Sequence, residues 1–221
     1  DAGAEVTYVI ITDNSAGSNA PDADLNALVK TRINEQIASA AVCGVTDVRF
    51  LGHKDGTLQP TMALRKEITR IIREIRPQVV ITLDPTTVFA MDGGYINHPD
   101  HRAAGEATLY AVFPSAGTRP IFPELLDEGL EPHDVDRVYL TIASQVDLAV
   151  DISSTIDRKQ AALKHHKSQI DDEVIQMVAK WNAEAGEKYG VKYAETFRVM
   201  NLKRDPTEAT EAPDIEQVKT S

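Results

Sequence analysis

The chain has 221 residues and a formal net charge of −11, from 23 Lys and Arg against 34 Asp and Glu. This charge argues against nucleic acid or an anionic membrane as the main partner, because both bind clusters of basic residues. The single cysteine, Cys43, excludes an intrachain disulfide framework and a zinc site with several thiolate ligands. We therefore expect a small-molecule substrate, and any metal would be held by His and carboxylate groups.

The composition is that of an ordinary globular protein, and no apolar run approaches the roughly 20 residues needed to span a bilayer. We expect a cytoplasmic protein with one α/β domain over residues 1–203. Residues 204–221 are polar and acidic with two prolines, which is typical of a disordered tail.

Strand and helix patterns alternate along the chain. Strands are predicted at 6–12, 47–51, 79–83, 137–142 and 148–152 with an edge strand at 197–200, and helices at 24–42, 62–76, 103–112, 155–167 and 173–189. Short turns between them predict a doubly wound, mostly parallel, Rossmann-like sheet. The runs 6–12 and 79–83 are typical of strands buried on both faces. Since buried strands are central, we expect that a first strand and helix are missing from this chain.

Two further segments bear on a binding site. Arg32 lies at the edge of the apolar stripe of the first helix, which runs from Leu25 to Ala40. It is either a surface charge near Glu35 or a substrate ligand. The irregular segment 113–134 is long for a compact domain and is predicted to form a wall or lid.

Polar residues follow the predicted strands. Asp13 and Asn14 follow the first strand, Asp55 the second and Asp84 the third, and His98 to His101 come shortly after. Ligands of doubly wound sheets bind at the carboxyl ends of the strands. We therefore predict that these loops form one site, although Asp at strand ends is also common in turns.

The run Asn97-His98-Pro99-Asp100-His101-Arg102 concentrates the chemistry of the chain. It precedes a predicted helix, and a helix entrance favours an anionic ligand or a metal-bound oxyanion. One His could bind a metal such as zinc, while the other, held by Asp100, would stabilise a tetrahedral intermediate. The alternative is that Asp100 is a simple N-cap and that both histidines are surface residues.

Several motifs together resemble the LmbE/PIG-L family of zinc-dependent N-acetylglucosamine deacetylases. They are 79–85 (VVITLDP), 97–105 (NHPDHRAAG), 50–52 with 55–56 (FLG and DG), and 159–163 leading to 166–169 (KQAAL and HKSQ). The resemblance covers residues 1 to about 202, and the order and spacing of the motifs make it specific.

The resemblance implies a role for each matching residue. His101 would be a zinc ligand, and His98, oriented by Asp100, would stabilise the transition state. Substrate would be bound by Arg32, in the pattern Arg-x-x-Glu, by Asp55, and by Tyr95, which is shifted by one residue from the family's flexible tyrosine. The family's His-Pro-Asp-Asp run, which supplies two zinc ligands and a general base, does not occur in this sequence.

We therefore expect a metal-dependent hydrolase that removes acetyl from an N-acetylated amino sugar or related small amide, with zinc or another divalent metal as cofactor. The chain as given is expected to be incomplete, poorly active and weak in zinc binding. A catalytically silent module that binds a glycan or nucleotide, and a metal phosphohydrolase, are the alternatives. The sequence leaves open the roles of His133, His165 and His166, the acceptor and the oligomeric state.

Overall fold

The computed structural model describes residues 3–90 and 94–203, which form an α/β fold. Its strands are β1 (Thr7–Thr12), β2 (Asp47–His53), β3 (Val79–Leu83), β4 (Phe89–Ala90), β5 (Tyr95–Ile96), β6 (Arg137–Thr141), β7 (Leu148–Asp151) and β8 (Ala194–Asn201). Its helices are α1 (Leu25–Val42), α2 (Met62–Ile75), α3 (Pro99–Tyr110), α4 (Glu124–Asp127), α5 (Ile156–Leu163) and α6 (Asp172–Tyr189). The segment Ala111–Ala116 follows α3 and is kinked at Phe113, whose backbone is extended. The predicted α/β class is confirmed.

The chain divides into two compact units. Among the described residues, the first unit contains 3–57 and 149–195, and the second contains 58–90, 94–148 and 196–203. The predicted tail, 204–221, lies outside the described residues. The prediction of a single domain over 1–203 stays a prediction.

The first unit is built on the parallel pair β1 and β2, in which Thr7 lies opposite Asp47. Helix α1 packs against α5, and α5 against α6. Helix α1 begins after the N-cap Asp24, whose carboxylate accepts a hydrogen bond from the Ala27 N–H at 3.0 Å. An N-cap carboxylate satisfies a backbone donor that has no partner within the helix.

The buried face of α1 differs from the predicted apolar stripe. Leu25 and Ile37 are 42% and 47% exposed, whereas the buried residues of the helix are Arg32, Ser39 and Ala40. Helix α1 therefore turns a small and partly polar face inward. Hydrophobic spacing located the helix correctly but did not identify its inner side. That side contains Arg32, whose guanidinium contacts Asn14 and Gly17 in the loop after β1.

The second unit contains β3 and β6 as a parallel pair, and β8 runs antiparallel to β6. On its other side, β8 accepts a hydrogen bond at the Phe197 carbonyl from the Asp147 N–H at 3.1 Å, so β8 is an internal strand and the predicted edge position of 197–200 is wrong. Its Phe197 is buried and lies 5.7 Å from the Tyr139 ring, measured between ring centres. The sequence predicts apolar positions in α2 at Leu64, Ile68, Ile71, Ile72 and Ile75. The first four are buried, and Ile75 is partly exposed.

The prediction that β1 and β3 are buried on both faces is wrong for the described residues. All six residues of β1 are partly exposed, and Ile81 in β3 is 61% exposed. Each strand has one hydrogen-bonded neighbour among the described strands, β2 for β1 and β6 for β3. A strand at the edge of a sheet leaves its side chains more accessible than a central one.

Segment 113–134 is held in place by the buried guanidinium of Arg73 on α2. It donates hydrogen bonds of 2.9 to 3.5 Å to five backbone carbonyls, those of Ser115, Ala116, Thr118, Ile121 and Leu130. The bonds to Ser115 and Ala116 are buried, and buried carbonyl oxygens need such donors because water cannot reach them. These contacts favour a fixed wall over a moving lid, and the predicted position of the segment beside the site stays a prediction.

None of the helices within 3–90 and 94–203 combines the length and apolar character needed to cross a bilayer.

Candidate active site

The histidine motif forms the first turn of α3. The helix begins at Pro99, four residues before the predicted start, because proline suits the first helical position. His98 is the N-cap, and its Nδ1 accepts a hydrogen bond from the Asp100 N–H at 3.2 Å. The alternative with Asp100 as a simple N-cap is therefore wrong.

The two imidazoles lie together at this helix entrance. The ring centres of His98 and His101 are 5.4 Å apart with the planes tilted by 50°. Asp100 is buried, and its Oδ1 accepts a hydrogen bond from the Leu58 N–H at 3.1 Å. This hydrogen bond anchors the Asp100 carboxylate. It thereby connects the first turn of α3 to the segment that precedes α2.

Asn97 connects the hairpin β4–β5 to the motif. It is 1% exposed, and its backbone N–H donates to the Val88 carbonyl at 2.8 Å. Its side-chain Nδ2 donates to the Thr87 carbonyl at 2.9 Å, and its Oδ1 lies 3.2 Å from His101 Nδ1. We assigned no role to Asn97 from the sequence. The sequence shows only that a polar residue lies beside the histidine motif, and this does not reveal that its side chain is buried.

The loop after β3 is joined to α3. Pro85 accepts a hydrogen bond at its carbonyl from Arg102 Nε at 3.2 Å. Gly105 in α3 packs directly on the Leu83 carbonyl, where a Cβ atom would collide with the oxygen and lie 3.3 Å from Pro85 Cδ. The glycine therefore permits a close approach of helix and strand.

Asp84 directly follows β3 and is completely buried. Its Oδ1 accepts hydrogen bonds from the Thr86 N–H and hydroxyl at 2.8 and 2.6 Å, which forms a tight turn. Its Oδ2 is buried without a hydrogen-bond partner.

Tyr95 lies in β5 opposite Ala90 and is 39% exposed. Its predicted contact with substrate stays a prediction.

In the first unit, Asp13 and Asp55 join the loops after β1 and β2. Asp13 Oδ1 accepts hydrogen bonds from the Ser15 and Asp55 N–H groups at 3.0 and 3.1 Å, and Asp55 Oδ2 accepts one from the Ala16 N–H at 3.0 Å. Burial alone would raise the pKa of Asp13, but the hydrogen bonds from Ser15 and Asp55 and the charge of Lys54 outweigh it and lower the pKa. The Asp13 carboxylate is thus kept ionised.

Arg32 is 7% exposed, so the surface-charge alternative is wrong. Its Nη1 donates to the Asn14 carbonyl at 2.6 Å, and its Nε is buried without a hydrogen-bond partner. The Gly17 backbone packs on the guanidinium, where a Cβ atom would collide with it. Glu35, which was expected to lie near Arg32, accepts hydrogen bonds from the Ser168 N–H and hydroxyl at 2.8 and 2.7 Å.

The structure thus brings His98, Asp100 and His101 together in the second unit, while Arg32 and Asp55 belong to the first. The prediction that all the strand-end loops form one site stays a prediction.

Of the other histidines, His133 bonds the Pro77 carbonyl through Nε2 at 2.7 Å, His165 is exposed and His166 is half-buried. Across residues 3–90 and 94–203 there is no group of three or more His, Cys, Asp or Glu residues arranged to hold a metal ion.

Comparison with known proteins decides the family. Residues 1–112 match the family model PIG-L, described as GlcNAc-PI de-N-acetylase. The chain is also 31% identical over 208 residues to diacetylchitobiose deacetylase from Thermococcus kodakarensis, covering 90% of this chain and 74% of that protein. The chain belongs to the PIG-L family. The family resemblance predicted from the motifs is confirmed.

Further relatives have the same character. A 1D-myo-inositol 2-acetamido-2-deoxy-alpha-D-glucopyranoside deacetylase from Acidothermus cellulolyticus is 34% identical over 179 residues, covering 63% of this PIG-L chain and 58% of that protein. Among solved structures, N,N'-diacetylchitobiose deacetylase from Pyrococcus horikoshii superposes with a TM-score of 0.81 at 29% identity, over 90% of this chain and 74% of that one. The fold of this chain is therefore that of a deacetylase of the family.

One more distant solved structure is described as a zinc-inhibited form. The zinc-inhibited form of teicoplanin deacetylase Orf2 has a TM-score of 0.55 and 17% identity, over 92% of this chain and 90% of that one. At this identity the likeness shows the fold alone.

Proposed function

We propose that this PIG-L family protein is a hydrolase that removes the acetyl group from an N-acetylated amino sugar or a related small amide. The observation that carries the proposal is the match to the Thermococcus diacetylchitobiose deacetylase over 90% of the chain. The second relative is also named as a deacetylase of an acetamido sugar. This support for an enzyme makes the silent binding module the weaker alternative.

The proposed roles are those that the resemblance to the family implies. At the α3 entrance, His98 would donate a hydrogen bond to the oxygen of the acetyl carbonyl as negative charge develops on it, and the helix N-terminus would add to this stabilisation. Asp100 would keep His98 in place through its backbone N–H, which donates to His98 Nδ1 at 3.2 Å. Arg32, Asp55 and Tyr95 are proposed to bind the sugar.

Zinc is the proposed cofactor, with His101 as a ligand. A zinc ion bound by His and carboxylate groups would lower the pKa of a bound water and polarise the acetyl carbonyl. The imidazole of His101 is a suitable ligand type. A catalytic zinc normally has three protein ligands, and the described part of the chain contains no such group, so His101 would supply only one of them.

The proposal is tested with full-length protein, added zinc and a panel of N-acetylglucosamine, diacetylchitobiose, and inositol and malate conjugates of N-acetylglucosamine. Acetate release is the measurement. His101→Ala should abolish release and lower the zinc content, and His98→Ala should reduce turnover while the zinc content is retained. The matched control is His165→Ala, which alters an exposed histidine and should leave both quantities unchanged.

Each alternative has its own outcome in this experiment. Binding of the sugars without acetate release in the full-length protein would support the silent module, and release of phosphate from a panel of phosphate esters would support the phosphohydrolase. Loss of zinc in the His98→Ala variant would show that the two histidine roles are reversed. For the chain as given, stoichiometric zinc would contradict the predicted weak binding and point to Asp13 or Asp84 as a ligand.

A further inference from the structure

The hydrogen bonds around Asn97 and Asp100 determine which ring nitrogen of each neighbouring histidine carries hydrogen. The chain of bonds starts at the Thr87 backbone carbonyl, which can only accept a hydrogen bond. Asn97 presents a side-chain nitrogen to this carbonyl at 2.9 Å, so that nitrogen is the amide NH₂ group. The other end of the Asn97 amide, directed at His101, is therefore its oxygen.

The Asn97 oxygen in turn assigns the hydrogen of His101. It lies 3.2 Å from His101 Nδ1, and an amide oxygen accepts hydrogen bonds but does not donate them. His101 Nδ1 must therefore carry the hydrogen. In the neutral ring this leaves the lone pair on Nε2, the arrangement that a metal ligand or a base requires.

His98 has the opposite arrangement. Its Nδ1 lies 3.2 Å from the Asp100 backbone nitrogen, and that nitrogen can only donate. The lone pair of His98 is therefore on Nδ1, and in the neutral ring the hydrogen is on Nε2. Nε2 of His98 is then a hydrogen-bond donor, and Nε2 of His101 carries a lone pair.

We propose that Asn97 is a positioning residue that fixes His101 in the Nδ1–H tautomer while the Asp100 backbone N–H fixes His98 in the Nε2–H tautomer. The two ring centres are 5.4 Å apart. Nε2 of His98 is thus a hydrogen-bond donor, and Nε2 of His101 carries a lone pair. The link to catalysis rests on the proposed function, in which His98 donates to the oxyanion and His101 is a ligand. The tautomers themselves do not depend on it.

Burial explains why Asn97 can impose this choice. The side chain is 1% exposed, so water does not compete for its amide group. Its backbone N–H is also bonded, to the Val88 carbonyl at 2.8 Å, which restricts movement of the residue. Rotating the amide by half a turn would place its oxygen against the Thr87 carbonyl, where two acceptors would meet without a hydrogen. One orientation is therefore strongly favoured.

The test is nitrogen NMR of the imidazole rings in the metal-free, histidine-labelled protein, read from long-range proton–nitrogen correlations. His98→Gln and His101→Gln assign the two ring signals. The wild-type protein should show Nδ1–H for His101 and Nε2–H for His98. Asn97→Ala should shift the His101 tautomer ratio toward Nε2–H by about threefold to tenfold, the range that one hydrogen bond contributes, and leave His98 unchanged.

A matched control separates positioning from folding. Asn182→Ala removes another buried asparagine, whose Nδ2 donates to the Ala194 carbonyl at 2.9 Å in the first unit, and should leave both rings unchanged.

The proposal is overturned if wild-type His101 carries its hydrogen on Nε2, or if folded Asn97→Ala keeps the wild-type ratio. Because the spectra of the wild-type protein decide the first point, misfolding of a variant does not remove the test. Since no acetate release is measured, these results are independent of the deacetylase assay. Correct tautomers in a protein without deacetylase activity would overturn the proposed function alone.

Discussion

Asp13 Oδ1 accepts a hydrogen bond from the backbone N–H of Asp55, with 3.1 Å between the two atoms. This bond joins the loop after β1 to the loop after β2, and Asp55 in turn accepts a bond from the Ala16 N–H. The position of Asp55, a proposed substrate residue, therefore depends on the ionised carboxylate of Asp13.

Asp13→Asn should reduce the free energy of unfolding by about 1 kcal/mol at pH 7, because a neutral amide oxygen accepts the Ser15 and Asp55 N–H bonds less strongly than a carboxylate and lacks the attraction to Lys54. The folded pKa of Asp13 lies below its ordinary value, so the stabilisation is complete above pH ~4 and is lost as the pH falls through the folded pKa. The difference between wild type and variant should therefore shrink in acid. Urea unfolding between pH 7 and 3 measures it, and Asp22→Asn, at an exposed position, is the matched control.

Gly17→Ala should raise KM for the acetylated sugar about tenfold, which corresponds to ~1.4 kcal/mol of binding free energy. The added methyl group would collide with the Arg32 guanidinium and displace it. Turnover at saturating substrate should change less than KM, because the variant moves a binding residue. Initial rates against substrate concentration measure both constants. Asn19→Ala, at an exposed position of the same loop, is the control, and an unchanged KM for Gly17→Ala would contradict the role of Arg32.

Arg73→Met should destabilise the protein by about 2–4 kcal/mol, because the lost guanidinium leaves buried carbonyls without donors. It should also make segment 113–134 sensitive to proteolysis, since Arg73 bonds five of its carbonyls. Arg70→Met is the matched control on the same helix. Arg70 is partly exposed and pairs with Glu128, so its loss should cost under about 1 kcal/mol. Equal losses in the two variants would disprove the anchoring role.

Glu35→Gln should lower the pKa of His166 further. Burial already holds that pKa below its ordinary value, the Glu35 carboxylate opposes the shift, and the neighbouring His165 adds to it. Removing the negative charge therefore favours the neutral imidazole. His165→Gln should have the opposite effect and raise the pKa of His166. Proton NMR titration of the imidazole signals measures both variants, and Glu184→Gln, in an exposed pair with Lys180, should have no effect.

Sequence patterns predicted the elements of this fold because hydrophobic spacing and caps act locally. Helix α2 shows this best, since four of its five predicted apolar positions are buried, although the buried Thr69 and Arg73 were not among them. The burial of β1 and β3 was mispredicted because it depends on the number of neighbouring strands, which no local pattern reports. The internal position of β8 was missed for the same reason.

The candidate site was predicted in part. Adjacent spacing placed His98 and His101 together at a helix entrance, as the structure shows. The sequence did not reveal that Arg32 is buried or that Asn97 connects the Thr87 carbonyl to His101, because these contacts join residues from separate loops and elements. Burial of a polar side chain depends on tertiary packing, and neither its charge nor its periodicity shows it.

The contact of Gly105 with the Leu83 carbonyl bears on how this protein could be re-engineered. Since α3 begins at Pro99, directly after His98, and includes His101, a larger residue at 105 would push the helix away from β3 and shift both imidazoles as one body. The separation of the two rings would be preserved while their position relative to β3 changed. Variants at position 105 therefore offer a way to move the histidine pair without substituting either histidine.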